Sequence, residues 1–314
     1  MNNFLISLNA VLPSFLIMAA GYIARRAGII REETIPAMNR VAFRVFLPAL
    51  TFFNVYSGDL TTSFHPGLMV YVVGVILFAF AAAALVVPFL EKDPKKRGVM
   101  IQGIFRANFL VVGLPVATTL VPDGDPGIVT VLSVATIPLV NILAVIILEY
   151  YRGRGEKVSV PHLLLDCLKT PLVVSCILGM VCLFLKIRLP GPLHTAVRDL
   201  SRVASPFTLF LLGAFFHFEK VGENRRPLIA ALLGRLVIVP AIALFVGVLL
   251  GFRGMHLAAI LVCSGTGTAV SSFAMTQSLG GDAALAGNIV VFSSLACTFT
   301  LFCWSFLLKT LGLL

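Results

Sequence analysis

The 314-residue chain is 59% apolar and only 12% charged, with a mean hydropathy of +1.01. Soluble domains run at about 45–50% apolar and about 25% charged residues, and disorder needs the opposite bias. Composition excludes both and leaves an integral membrane protein. At about 20 residues per spanning helix, ten helices would use about 200 residues and leave short loops, with no room for a soluble catalytic domain.

The net charge is +10, from 24 Lys and Arg against 14 Asp and Glu. In a soluble chain this would point to nucleic acid; in a membrane chain it belongs to the cytoplasmic loops, and no nucleic-acid partner is expected. Cys167, Cys176, Cys182, Cys263, Cys297 and Cys303 form no CxxC pair and fall in apolar stretches, where they read as small buried hydrophobes. The five histidines lack metal-ligand spacing, so neither a metal nor a cofactor is expected. Residues 1–24 do not read as a cleaved signal peptide, because Arg25 and Arg26 follow the apolar stretch.

Ten apolar segments separate in chain order, near 3–24, 35–57, 67–90, 97–121, 127–150, 163–185, 192–216, 227–250, 255–279 and 283–308. Breakers such as Ser57-Gly58-Asp59, Glu91-Lys92-Asp93-Pro94 and Gly280-Gly281-Asp282 divide them. The segments are continuously apolar, so they read as helices rather than alternating strands. With the amino terminus outside, the inner loops hold 13 Lys and Arg and the outer loops with the C-terminus hold 4. That asymmetry predicts a multi-pass protein of the cell (inner or plasma) membrane, with both termini outside.

The chain also repeats at an offset of 158: Pro13 matches Pro171, Gly21 matches Gly179 and Ile29 matches Ile187. Arg40, Arg44, Val45 and Pro48 likewise match Arg198, Arg202, Val203 and Pro206. Segments 1–5 (residues 1–150) therefore duplicate as segments 6–10 (163–314), joined by a cytoplasmic linker at 151–162. Five is odd, so the second copy is inverted, which is a signature of secondary transporters. The predicted fold is all-α integral membrane, with ten transmembrane helices as two inverted five-helix repeats and crossed broken helices 4 and 9.

The breaks are expected mid-segment. In segment 4 the run is Arg106-Ala107-Asn108-Phe109, followed by Gly113-Leu114-Pro115; in segment 9 it is Ser264-Gly265-Thr266-Gly267-Thr268. Gly265 and Gly267 each weaken a helix by about 1 kcal/mol relative to Ala, and the Asn108 side chain suits freed backbone groups. The alternative is small-residue packing between close helices. A break exposes N–H groups at the start of its second half, a natural anion site. Thr51, Asn108, Asn141, Thr266, Thr268 and Ser271 are the candidate orienting groups, Ala107, Asn108, Gly265, Gly267 and Pro115 the candidate crossover positions, and Arg106 the candidate gate for an anion. The competing role for Arg106 is snorkelling to the inner interface, which is the better reading for Arg40, Arg44, Arg198 and Arg202. Arg235 is assigned neither role. All 14 acids lie in loops or near segment ends, which leaves an acid-based proton relay unsupported. There is no HExxH, GxSxG or P-loop, and Cys263-Ser264-Gly265 has no histidine at similar depth, so the chain does not read as an enzyme.

Arg106 to Pro115, then Glu149-Tyr150-Tyr151-Arg152-Gly153, Ser264 to Ser272 and Gly280-Gly281-Asp282, resemble the auxin efflux carrier family over essentially the whole chain. The resemblance implies a scaffold of helices 1, 2, 6 and 7 and a transport domain of helices 3–5 and 8–10, with elevator-type alternating access. It implies organic-anion substrates, either auxin-like acids or dicarboxylates, and efflux or uniport without a coupling ion. It places Asn108 at the segment 4 crossover, and Asn141 and Thr51 near substrate-lining positions; apart from the resemblance, Gly267 of segment 9 is expected to line the same midplane site. The prolines common at the crossovers of that family are replaced by Ala107 and by Thr266-Gly267, which predicts a looser or more helical crossover. The long cytoplasmic loop of plant members is missing, so a small bacterial-type carrier is the better match. Expected partners are a small organic anion, the lipid bilayer and, as an allowed assembly, a second copy of the chain in a homodimer. The rival functions are a sodium-coupled symporter and an anion receptor that does not translocate.

Overall fold

The computed structural model describes residues 2–58, 63–152, 165 and 167–314, and these are helical, with no strand among them. The first unit is α1 (Asn2–Arg26), then α2 (Ile35–Val41) and α3 (Leu47–Tyr56) joined by a wider π turn at Ala42–Phe46. Next come α4 (Pro66–Leu90), α5 (Pro94–Phe105), a π turn at Phe109–Gly113, α6 (Leu114–Leu120) and α7 (Gly127–Arg152). The second half holds α8 (Pro171–Phe184), α9 (Gly191–Phe215) and the short α10 (Glu219–Glu223). Then α11 (Arg225–Leu233) and α12 (Val239–Leu249) flank a π turn at Gly234–Ile238, followed by α13 (Gly254–Gly265), α14 (Ser271–Ser278) and α15 (Ala283–Thr310). Among the described residues, four helices are long and apolar enough to cross a membrane: α4, α7, the run Arg225–Leu249, and α15.

Local chemistry sets these boundaries. Pro66 and Pro94 open α4 and α5 at positions where the missing N–H has no intrahelical partner to lose. Asp93 accepts from the Lys95 N–H and Asp282 from the Leu285 N–H, capping α5 and α15. Each of the three π turns ends two residues before a proline, respectively Pro48, Pro115 and Pro240. A proline ring crowds the carbonyl four residues back and leaves it without a donor, and a widened turn relieves the clash. Proline permits the widening without requiring it, since Pro13, Pro88, Pro138 and Pro206 lie inside α-helices that carry no π turn. The linker expected at 151–162 lies outside the described residues, except for Tyr151 and Arg152, which end α7.

Among the described residues, the most extensively packed helix pairs are α1 with α9 and α3 with α8. A Cβ on Gly21 would overlap the Phe210 carbonyl, and one on Gly213 would overlap the Met18 carbonyl, so the α1–α9 backbones touch where only glycine fits. On the other pair, a Cβ on Gly179 would sit 3.0 Å from both the Phe52 carbonyl oxygen and the Val55 Cβ. Gly21 and Gly179, and likewise Phe52 and Phe210, are separated by the same 158 residues that relate the two halves in sequence.

Candidate functional site

Two helices stop in the interior of the bundle, and their loose ends meet. α5 ends at Phe105 and α13 at Gly265; Arg106 then has φ −93° and ψ 102°, and Thr266 has φ −73° and ψ 159°, both extended. A helix broken away from water leaves backbone donors and acceptors that must be satisfied within the protein. Here the two breaks satisfy each other. Ala107 and Thr268 form an antiparallel bridge, the Asn108 N–H donates to the Gly267 carbonyl at 2.9 Å, and the Ala269 N–H donates to the Arg106 carbonyl at 3.2 Å. Side chains take up more of the freed groups. Thr268 Oγ1 donates to the Gly103 carbonyl at 2.9 Å, the Thr268 N–H donates to Ser293 Oγ at 2.9 Å, and Thr266 Oγ1 donates to the Val262 carbonyl at 2.9 Å.

Two expectations are corrected by this geometry. The absence of crossover prolines does not make the segment more helical, because main-chain pairing between the breaks holds both open. The Asn108 side chain does not cap the freed backbone either; its main chain pairs with Gly267, and the residue faces a cavity.

That cavity has a volume of about 240 Å³. One wall comes from α1, α3, α8 and α9 and includes Ser14, Thr51, Asn54, Leu172 and Thr208. The other comes from the crossover and α7 and includes Arg106, Ala107, Asn108, Asn141 and Ser271. Arg106 is 3% exposed, so it does not snorkel to an interface. Its Nη2 donates to Asn141 Oδ1 at 2.6 Å and to Ser271 Oγ at 2.9 Å, and its Nη1 contacts Met275 Sδ. All three partners are neutral, and among the described residues no carboxylate pairs with it. Apolar side chains of Leu47, Leu50, Phe109, Ile137 and Val140 complete the lining.

Of the residues singled out from sequence, Thr51, Arg106, Ala107, Asn108, Asn141 and Ser271 therefore come together. Gly265, Thr266, Gly267 and Thr268 do not line the cavity; Thr266 and Thr268 are fully buried in the crossover bonds. Pro115 lies at the exposed start of α6, outside the lining. Arg40, Arg44 and Arg202 are exposed, and Arg198 and Arg202 flank Asp199 at 3.4 and 3.9 Å. Sequence reasoning missed Ser14, Asn54, Ser205 and Thr208. The repeat could have found most of them: at offset 158, Ser14, Leu47, Leu50 and Thr51 map onto Leu172, Ser205, Thr208 and Leu209, and all eight line the cavity.

Comparison with known proteins adds a family and a relative. The sequence profile of a family described as "Membrane transport protein" matches residues 6–305. An uncharacterized transporter of Methanocaldococcus jannaschii is 22% identical over 283 residues, covering 86% of this chain and 89% of the relative.

Proposed function

Since the chain belongs to the membrane transport protein family, the one that includes the auxin efflux carriers, we propose that it is a secondary carrier for a small organic anion. The observation that carries this reading is Arg106, a buried cation on the cavity wall whose hydrogen-bond partners are all neutral. An arginine at membrane depth costs about 2.5–3.5 kcal/mol on insertion scales, and its neutral partners return hydrogen bonds without neutralising its charge. A carboxylate entering the cavity would supply the missing counter-charge. Ser271 opens α14, so the positive end of that helix dipole reinforces the same preference. Asn54, Thr51 and Asn108 would orient the polar end, and the leucines, Phe109 and Val140 would hold an apolar body.

The proposed architecture is ten spans in two inverted repeats, with both termini outside. The matched glycine contacts of the two halves and the cavity positions related at offset 158 support the repeat, and the loop charge asymmetry supports the orientation. The cavity lies between α1, α3, α8 and α9 on one side and the crossover with α7 on the other. Sliding the second group past the first would carry Arg106 and its ligand across the membrane, an elevator-type cycle. The test is counterflow in proteoliposomes, using labelled mono- and dicarboxylates chosen by thermal shift on purified protein. An acid at 100 times its dissociation constant should stabilise the fold by about 2.7 kcal/mol. Binding without counterflow would make the protein a receptor, and stabilisation by no acid would remove the anion assignment.

A further inference from the structure

A second arginine is buried at the crossover, and the cavity does not use it. Arg235 is 1% exposed and lies outside the cavity lining. It sits in the π turn Gly234–Ile238, upstream of Pro240. Its Nε donates to the Thr266 carbonyl at 2.8 Å, Nη1 to the Ile104 carbonyl at 3.1 Å and Nη2 to the Cys263 carbonyl at 3.3 Å. Ile104 is in the last turn of α5, Cys263 is in the last turn of α13, and Thr266 caps α13. One guanidinium thus gathers carbonyls from the ends of both broken helices, where the dipoles are negative and the helix-breaking frees acceptors. Among the described residues no carboxylate pairs with it. The charge of Arg235 is therefore matched by carbonyl dipoles alone.

Carbonyls at unwound helix ends are also what a soluble alkali cation takes as ligands in ion-coupled carriers. We infer that Arg235 is a tethered cation, which joins the two half-helix ends in place of a soluble ion, so that the crossover forms without sodium or any other alkali cation. Arg235 is a positioning residue: it contacts no ligand and acts by fixing the bridged extended segments Arg106–Asn108 and Thr266–Ala269 behind the cavity. The inference extends the carrier reading and rests on it, yet its test needs no substrate, so the two can fail separately.

The test removes the tether and offers a free cation. Purified full-length protein and the variants Arg235→Ala and Arg235→Lys are melted in sodium, potassium, choline and guanidinium chloride. All salts are kept at about 10 mM, far below denaturing concentrations of guanidinium, so that any gain reports binding to the folded state. Amide exchange is followed at residues 104–108 and 266–269. The parent is expected to melt and exchange identically in all four salts. Arg235→Ala should melt about 5–10 °C lower and exchange about tenfold faster at the crossover, with guanidinium restoring at least half of both losses. Lysine, a point charge without the planar fork, should recover less than the parent and respond less to guanidinium. If Arg235→Ala does not purify folded in sodium, purification in guanidinium must recover it. A sodium-dependent parent, an Arg235→Ala indistinguishable from the parent, or losses that guanidinium leaves untouched would each overturn the inference.

Discussion

Arg106→Gln separates function from stability more sharply than any other change at the cavity. Arg106 carries five N–H donors, and three of them are engaged, two by Asn141 and Ser271 and one by Met275. The Nε–H and one Nη1–H remain for a ligand. A charge-assisted hydrogen bond contributes about 1.5–3 kcal/mol, and about 1.4 kcal/mol is tenfold in affinity. Losing one such bond to a carboxylate therefore weakens binding about 10–150-fold, and losing both takes it out of a micromolar assay. Stability moves little. The variant sheds an insertion cost of about 2.5–3.5 kcal/mol and gives up the bonds to Asn141 and Ser271, at about 1.5 kcal/mol each. These nearly cancel, so the melting temperature should stay within about 4 °C of the parent. The assay is calorimetric titration with the acid that passes counterflow, beside a melt of each variant. Unchanged affinity in Arg106→Gln would refute the anion site, and so would a collapsed fold in which the surviving folded protein still binds.

Four further outcomes follow from the same geometry. Asn108→Leu should abolish counterflow with little change in melting temperature, because Asn108 faces the cavity and bonds through its main chain. Gly267→Leu should also lose counterflow but melt lower, since a Cβ there would lie 3.1 Å from the Ser293 and Ser294 main chain. Gly21→Ala should destabilise by about 1–3 kcal/mol in a melt, more than Gly179→Ala, because the first added methyl strikes the Phe210 main chain while the second meets atoms 3.0 Å away. In a cysteine-free background, Thr62→Cys should label with an impermeant maleimide from outside and Lys92→Cys only from inside; the reverse pattern would invert the proposed orientation.

Much of the helical layout was legible because membrane burial acts on whole segments. The helix from Pro66 to Leu90 was expected at 67–90, and that from Ala283 to Thr310 at 283–308. Both are bounded by Asp or Pro signals that work locally. The breaks were legible as well, through Gly265, Gly267 and Asn108, since glycine and asparagine weaken a helix wherever they stand. What holds the breaks open was not legible. It depends on residues far apart in sequence, with Asn108 paired to Gly267 and Thr268 to Gly103, and no local rule supplies those pairs. The three π turns were not legible either: each ends two residues ahead of a proline, yet Pro13, Pro88, Pro138 and Pro206 lie inside α-helices without one.

The two buried arginines show why side-chain type alone could not settle roles in the site. From sequence, Arg106 and Arg235 present the same puzzle, a cation within an apolar segment. Their surroundings separate them. Arg106 meets neutral side chains and a cavity, so part of its hydrogen-bonding capacity is unspent and available to a ligand. Arg235 also makes three hydrogen bonds, but all of them go to main-chain carbonyls and it lies outside the cavity, so it serves the fold rather than a ligand. A buried charge is tolerated only where its partners compensate for lost water; two helix ends supply that compensation for Arg235, and the proposed anion would complete it for Arg106. Substituting the first should therefore change what is bound at nearly constant stability. Substituting the second should change whether the crossover exists at all, and only there should a small cation in solution repair the loss.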